Sequence, residues 1–588
     1  MNTAAIYHRT ESEYAYLYTN ELMHVRLRTA RADCKNVSLV HGDPYELEKK
    51  RWYKQPSAMR KTLSTDLYDY WEVDVTAPYH RLSYGFIVTG YDETTVFFTE
   101  HGVFPVEENY LLMANNYFRM PFFHEIDRFK APQWVKETVW YQIFPERFAN
   151  GDPSNDPEGV LPWDSKEYPG KQDFYGGDLQ GVIDHLDYLS DLGINGIYFC
   201  PIFTAPSNHK YDTTDYLEID PAFGDKELFR KLIEECHRRG IRIMLDAVFN
   251  HMGDTSPQWR DVLEKGEKSR FKDWFHIHSF PVQYTKTDDF EVAEDLNYDT
   301  FAFTPHMPKL NTANKEVQEY ILSIAKYWIQ EFDIDAWRLD VANEVDHQLW
   351  KKFAATCHEL KDDFYLLGEV WHSSQPWLQG DEFNAVMNYA FTESIINYFL
   401  ERTIPLDKLV SNLNEQLTLY RKQTNQMMLN TIDSHATPRI LTLAGGNKDL
   451  MRQVLAFLYL QQGIPCLYYG DEVGLDGGID PDCRKCMIWD PEKQDLQLFE
   501  FVKQLIALRR ENQFTLCEGS LEWQKVDTST GTLIFSRDIS NEKIIGIFNT
   551  GNHSIFEQVS DEVLMLQLAN IKGDSIAIEP NGFVILKK

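Results

Sequence analysis

Apolar and polar positions alternate with two different periods along this chain, and the change of period divides it. In His24–Arg28, Val25 and Leu27 fall on one side, with His24, Arg26 and Arg28 on the other. Trp71, Val73 and Val75 alternate with Glu72 and Asp74 in the same way. A period of two belongs to a strand with two unlike faces. Turn-forming pairs such as Gly42-Asp43 and Asp92-Glu93 punctuate these short runs. Residues 1–125 are therefore expected to form an N-terminal β-sandwich.

From about residue 135 the texture changes. Short apolar runs at Val139–Pro145, Gly196–Pro201, Ile241–Val248, Ile334–Leu339, Phe364–Val370, Ala385–Tyr389, Met427–Ser434 and Cys466–Tyr469 are strand candidates. Stretches of helical period lie between them. Asp178 can cap a helix carrying Leu179, Val182, Ile183, Leu186 and Leu189 on one face. Asp225 can cap another carrying Leu228, Phe229, Leu232, Ile233 and Cys236, stopped by Gly240. Eight strand–helix alternations predict an α/β fold, a (β/α)8 TIM barrel over residues 126–505, with an open doubly wound sheet as the rival. The irregular stretch 251–297, after strand three, is too long for a simple loop and predicts a small subdomain over the barrel mouth. Alternating runs return at Leu533–Phe535, Ile544–Phe548 and Phe583–Leu586, predicting a C-terminal β-sandwich over 506–588.

Composition narrows the function. A chain of 588 residues needs more than one core. Its formal net charge of -32, with no basic stripe, argues against nucleic acid or an anionic membrane as partner. No run reaches the roughly 18 apolar residues of a membrane span. The start, MNTAAIYHRTESEY, lacks a basic segment followed by an apolar one, so the chain reads as cytoplasmic. Aromatics at 14% can fill cores but can also stack on pyranose rings. Eight cysteines in so long a chain suggest no disulfide framework. Cys483 and Cys486 read as plain thiols, because no second pair would complete a zinc site.

Catalytic groups of such a barrel gather at the C-terminal ends of its strands. Strand three ends Asp246-Ala-Val-Phe-Asn250-His251, strand four Trp337-Arg338-Leu339-Asp340, strand five Gly368-Glu369-Val370-Trp371 and strand seven Asp433-Ser434-His435. Adjacent strands lie ~4.8 Å apart, so Asp340 and Glu369 can stand ~5–5.5 Å from each other, the separation of a retaining glycosidase. Arg338 points the same way as Asp340 and can keep it ionised, while an apolar, Trp371-flanked setting would leave a proton on Glu369. A strand-end ion pair is the plain alternative. A metal site built from Asp246, Asp340 and Glu369 is another, disfavoured by the arginine beside them.

These segments resemble the signature segments of the α-amylase family of glycoside hydrolases. DAVFNH (Asp246–His251) is similar to the first, WRLDVANEVDH (Trp337–His347) to the second and GEVWH (Gly368–His372) to the third. MPKLN (Met307–Asn311) resembles a segment of the neopullulanase, cyclomaltodextrinase and maltogenic amylase subgroup. The resemblance spans nearly the whole chain and implies Asp340 as nucleophile and Glu369 as general acid/base. It also implies that His251, Arg338 and His435 hold the sugar at the cleavage subsite, with Trp371 beside them. His209 and Tyr211 resemble a further sugar contact, and Asp480 and Arg484 match glucose-binding positions of the subgroup. The expected activity is cleavage of α-1,4-glucosidic links in cyclodextrins, pullulan and starch, with some transglycosylation.

Two further expectations come with the resemblance. Asn150, Asp152, Asn155 and Asp156 crowd four hard oxygen side chains into seven residues, as calcium prefers. In the subgroup Gly176, through its carbonyl, and Asp178 complete such a loop. The N-terminal module implies a homodimer in which it covers the partner's active site. One departure stands out: the fourth segment, normally Ser-His-Asp-Thr, is Ser434-His435-Ala436-Thr437 here. The missing aspartate belongs to the family's catalytic trio, so the sequence predicts a chain that binds α-glucans but turns them over very slowly. An inactivating substitution is the favoured reading and a naturally inactive relative the alternative. A non-catalytic glucan-binding protein on the same fold is disfavoured by the intact Asp340–Glu369 pair.

Overall fold

A computed structural model describes residues 1–46, 53, 55–559 and 561–588. In the N-terminal unit, Leu22–Ala30 pairs antiparallel with Tyr68–Thr76, setting Val25 opposite Val73 and Leu27 opposite Trp71. That apolar face packs on Leu39, Tyr84, Phe86 and Val88 of the second sheet. On the polar face His24 and Arg26 are buried as well, Glu72 is half-buried and Asp74 is exposed. His24 bonds Asp74 at 2.7 Å, and Arg26 bonds Glu72 at 2.7 Å and donates to the carbonyl of Thr418 at 2.9 Å. Thr418 ends the barrel helix Leu406–Thr418, where exposed carbonyls favour a cation. Asn414 on the same helix donates to the carbonyl of Ser64 at 2.7 Å, and Gln423 to that of Leu17 at 3.0 Å. Side-chain hydrogen bonds to backbone carbonyls thus fasten the unit to its own barrel.

The barrel strands are Trp140–Ile143, Gly196–Phe199, Arg242–Ala247, Ala336–Leu339, Tyr365–Gly368, Ala385–Val386, Leu429–Asn430 and Ile464–Tyr468. All pair in parallel, in the spatial order 6-5-4-3-2-1-8-7. A bridge between Met387 and Leu429, with the Asn388 amide donating to the Leu429 carbonyl at 2.8 Å, joins the two ends. The sheet is a barrel, and the doubly wound alternative falls.

Five expectations differ. Strands six and seven are short, because Tyr389–Ile395 and Lys422–Met427 are helical. A brief apolar run has the same composition in either state. The helix begun by Asp178 breaks at His185 into Leu179–Asp184 and Leu186–Leu192, where the His185 ring bonds the Gly181 carbonyl at 2.7 Å. The subdomain over the mouth runs on to Leu310 rather than ending at 297. Bridges His251–Lys309, Phe275–Leu310 and Thr300–Pro308 close it, so MPKLN is its last strand-like stretch. Finally, the helix Leu496–Glu511 crosses the boundary expected at 505, and the C-terminal sheet begins only at Ser520. Its six strands form one hydrogen-bonded sheet around Ile547, Ile555, Ile576, Ile578, Val584 and Leu586. Among the described residues no helix is long and apolar enough to cross a membrane.

Candidate active site

Leu339 and Gly368 are register partners on adjacent strands, so Asp340 and Glu369 follow side by side at the barrel mouth. Arg338, 1% exposed, lies between them. Its Nη1 bonds Asp340 Oδ1 at 2.6 Å and Asp246 Oδ1 at 3.0 Å, and its Nη2 meets Glu369 Oε1 at 2.8 Å. The two carboxylates therefore face each other across the width of one guanidinium. A cation-binding trio is excluded on the same ground, because a guanidinium already occupies the point where Asp246, Asp340 and Glu369 converge.

The backbone helps. Val341, directly after Asp340, has φ 46° and ψ 43°. A β-branched residue enters this left-handed region at a cost of order 1–3 kcal/mol. Here the turn aims the Val341 amide at Glu369 Oε2, 2.9 Å away. Trp371 Nε1 donates to Glu369 Oε1 at 3.3 Å. The apolar pocket expected around Glu369 is thus corrected: Arg338, Val341 and Trp371 all donate to it. Trp371 stacks face to face on Tyr389 at 3.7 Å and keeps 47% of its surface open to the cleft.

Nor does Arg338 serve Asp340 alone. Burial raises the Asp340 carboxyl well above its usual range, Arg338 opposes that, and the negative Glu369 and Asp246 add to it. Burial likewise pushes Asp246 up, against Arg338, to about 6. Asp246 and Asp340, sharing that one cation, bind protons jointly rather than separately.

The sugar-contact candidates converge on the same mouth. His435 and Tyr211 stack at 5.2 Å, and the His435 Nε2 meets the Tyr211 hydroxyl at 2.7 Å. That hydroxyl donates to Asp246 Oδ2 at 2.9 Å. The His251 Nε2 donates to the Tyr211 carbonyl at 3.1 Å, and His209 stacks on Tyr211 at 5.9 Å. Burial lowers all three imidazoles, His251 to about 3, so they are neutral. Arg484 pairs with Asp480 at 3.0 Å and its Nε donates to the His435 carbonyl at 2.8 Å. Cys483 donates to that carbonyl at 3.2 Å; all eight cysteines are free and buried. Ala436 is exposed beside His435. Asp433 faces elsewhere: it is buried, accepts the Ile440 amide at 2.6 Å, and sits with Asp471 and Arg439 beneath the site.

The loop expected to hold calcium brings some of its residues together. Asn150 Nδ2 reaches Asp156 Oδ1 at 2.8 Å and Asn155 Nδ2 reaches Asp178 Oδ2 at 3.1 Å. The buried amide oxygens of Asn150 and Asn155 have no hydrogen-bond partner. Gly176 lies so close that a Cβ there would sit 2.2 Å from Asp156 Oδ1. Asp178 is occupied by the amides of Gly151, Asp152 and Gly181, and Asp152 turns outward to Ser154.

Sequence reasoning missed Gln142, Tyr198 and Tyr389, and named Asp246 only at a strand end and in the alternative metal trio. Gln142 and Tyr198 lie within strand runs read as wholly structural, where only the inward direction of a polar side chain could have marked them.

Comparison with known proteins agrees with this geometry. The α-amylase catalytic domain matches residues 142–519, and the α-amylase N-terminal Ig-like domain matches residues 1–124. The chain is similar to the intracellular maltogenic amylase of Bacillus subtilis, 51% identical over 597 residues, covering 100% of this chain and 99% of that protein. It is also similar to the cyclomaltodextrinase of Geobacillus thermopakistaniensis (strain MAS1), 49% identical over 557 residues and covering 94% and 92% respectively. A solved cyclomaltodextrinase structure superposes with a TM-score of 0.91 at 42% identity, covering 100% of both chains.

Proposed function

Since this chain belongs to the α-amylase family of glycoside hydrolases, we propose that its site cleaves α-1,4-glucosidic links of cyclodextrins, pullulan and starch oligosaccharides by double displacement, in a form slowed by Ala436. The observation that carries the reading is the Asp340–Arg338–Glu369 grouping at the ends of adjacent strands. Asp340 attacks the anomeric carbon while Glu369 protonates the departing glycosidic oxygen. Glu369 then draws a proton from water, or from a second sugar hydroxyl, which displaces the glucosyl group from Asp340. The second acceptor gives transglycosylation. His251, His435, Tyr211 and His209 supply neutral hydrogen-bonding groups around the ring, and the open face of Trp371 offers a stacking surface. Asp480 and Arg484, on the adjacent loop, face the next glucose. Product analysis on the three substrates, comparing this chain with Ala436→Asp, tests the reading; an Ala436→Asp form that releases no glucose or maltose from any of them overturns it.

The unpartnered Asn150 and Asn155 oxygens and the Gly176 cradle support a structural calcium ion held by Asn150, Asn155, Asp156 and the Gly176 carbonyl, with Asp152 and Asp178 joining only on turning from their present hydrogen bonds. Such an ion would neutralise Asp156 and Asp178 and tie the loop to the helix that Asp178 caps. Free calcium at ~100 times its Kd stabilises the fold by about 2.7 kcal/mol. A chelator should therefore lower the melting temperature, and added calcium, but not magnesium, should restore it. An unchanged melting temperature speaks against the ion.

The subgroup likeness and the N-terminal Ig-like domain support a homodimer through residues 1–125, acting in the cytoplasm. Sedimentation equilibrium should give about twice 68.9 kDa. A species that stays at the monomer mass at micromolar concentration contradicts it.

A further inference from the structure

Behind His435 lies a polar side chain that the chemistry above leaves unused. Gln142, on the first barrel strand Trp140–Ile143, is 1% exposed. Its Nε2 lies 2.8 Å from His435 Nδ1 and 3.5 Å from the Cys200 thiol. A buried amide inside an all-apolar strand persists only if it is hydrogen-bonded.

The direction of this bond has a consequence. An amide nitrogen can only donate, so His435 Nδ1 must accept, which leaves the ring proton on Nε2. That Nε2–H donates to the Tyr211 hydroxyl at 2.7 Å, which in turn donates to Asp246 Oδ2 at 2.9 Å. Tyr198 donates to the same oxygen at 3.1 Å, and Asp246 holds Arg338 Nη1. The donors therefore point one way from Gln142 through His435 and Tyr211 to Asp246, which also accepts from the Arg338 guanidinium that carries Asp340 and Glu369. The groups facing the imidazole are Gln142, Tyr211, His209, Arg338 and Arg484. Burial keeps it neutral, the two arginines add to that, and neutrality makes the choice of tautomer matter.

We propose that Gln142 is a positioning residue: by donating to His435 Nδ1 it fixes that ring as the Nε2–H tautomer, so that a proton is presented to Tyr211 and to an incoming sugar hydroxyl. This deepens the glycosidase reading and rests on it only for the sugar. Gln142→Glu is the sharp probe, because a carboxylate of nearly the same shape can only accept. It draws the proton to Nδ1 and reverses the chain.

The experiment has two arms. Long-range proton–nitrogen spectra of ring-labelled histidine, with His435 assigned by its loss in His435→Asn, report the tautomer without any sugar. The Nε2–H form is expected in this chain and the Nδ1–H or charged form in Gln142→Glu. In the Ala436→Asp background, kcat/KM on β-cyclodextrin should fall about 10–100-fold in Gln142→Glu, the scale of lost outer-contact orientation. The loss should ease at acid pH as the introduced carboxyl protonates and can donate again. Gln142→Leu separates packing from orientation: it keeps the volume, loses the bias, and should show a smaller, pH-independent loss. An Nδ1–H tautomer in the starting chain overturns the proposal, as does a folded Gln142→Glu with tautomer and kcat/KM unchanged. If Ala436→Asp itself proves inactive, the glycosidase reading fails while the tautomer arm still decides the role of Gln142.

Discussion

Ala436→Asp is expected to raise turnover of α-glucans by about 10²–10³-fold, the usual worth of one charge-assisted contact made chiefly in the transition state. The frame for that contact is already in place. His435 is fixed from behind by Gln142 and Tyr211, and its carbonyl is clamped by Arg484 and Cys483. Residue 436 is exposed next to it, so an aspartate side chain enters the cleft without displacing packed atoms. Its carboxylate would accept the ring hydroxyls, and that grip would tighten as the sugar flattens toward an oxocarbenium-like state. Asp433 cannot stand in, being engaged with the Ile440 amide under the site. Reducing-sugar release from β-cyclodextrin by the two forms measures the effect. A parent chain as fast as Ala436→Asp would show that position 436 is not needed.

Arg338→Met should be the most damaging single change to the fold of the site. Removing one partner of a buried ionic group costs about 3–5 kcal/mol, because the charges left behind have no compensation. Here Asp246, Asp340 and Glu369 all lose their common partner. The pH dependence follows from the direction of the shifts. Burial raises Asp246 to about 6 and lifts Asp340 as well, so the folded state holds protons that the unfolded chain releases near pH 4. Stability linked to these groups is therefore present at acid pH and falls as pH rises through about 6. Without Arg338 the folded-state values climb further and the loss extends upward. The variant should thus differ little from the parent near pH 4 and lose several kcal/mol by neutral pH, as read by urea unfolding at a series of pH values. A deficit independent of pH would mean that packing, not charge, explains the residue.

The barrel was legible because short apolar runs alternate eight times with stretches of helical period, and because capping aspartates such as Asp225 announce the helices between them. The catalytic pair was legible for a geometric reason: adjacent parallel strands carry register partners side by side, so positions 340 and 369 had to meet. What sequence spacing could not give was direction. Asp340 and Glu369 were expected to have separate surroundings, yet one guanidinium reaches both and Asp246 besides. The setting of Glu369 depends on Val341 turning its amide through a left-handed conformation, which no propensity favours. His24, Arg26 and Glu72 read as the polar face of a strand, but His24 and Arg26 are buried, and Arg26 donates to the end of the helix Leu406–Thr418, a partner 392 positions away along the chain. Strand seven was misjudged for a similar reason. Met427 is apolar and fully buried, and burial alone does not distinguish helix from strand.

The account stands on Asp340 as the residue that forms the bond to the sugar. Incubating the Ala436→Asp form with a deactivated α-glucosyl fluoride, followed by peptide mapping in a mass spectrometer, tests this directly. The predicted result is a single glucosyl adduct on the peptide carrying Asp340, absent in Asp340→Asn. An adduct on Glu369 or on any other side chain would contradict it.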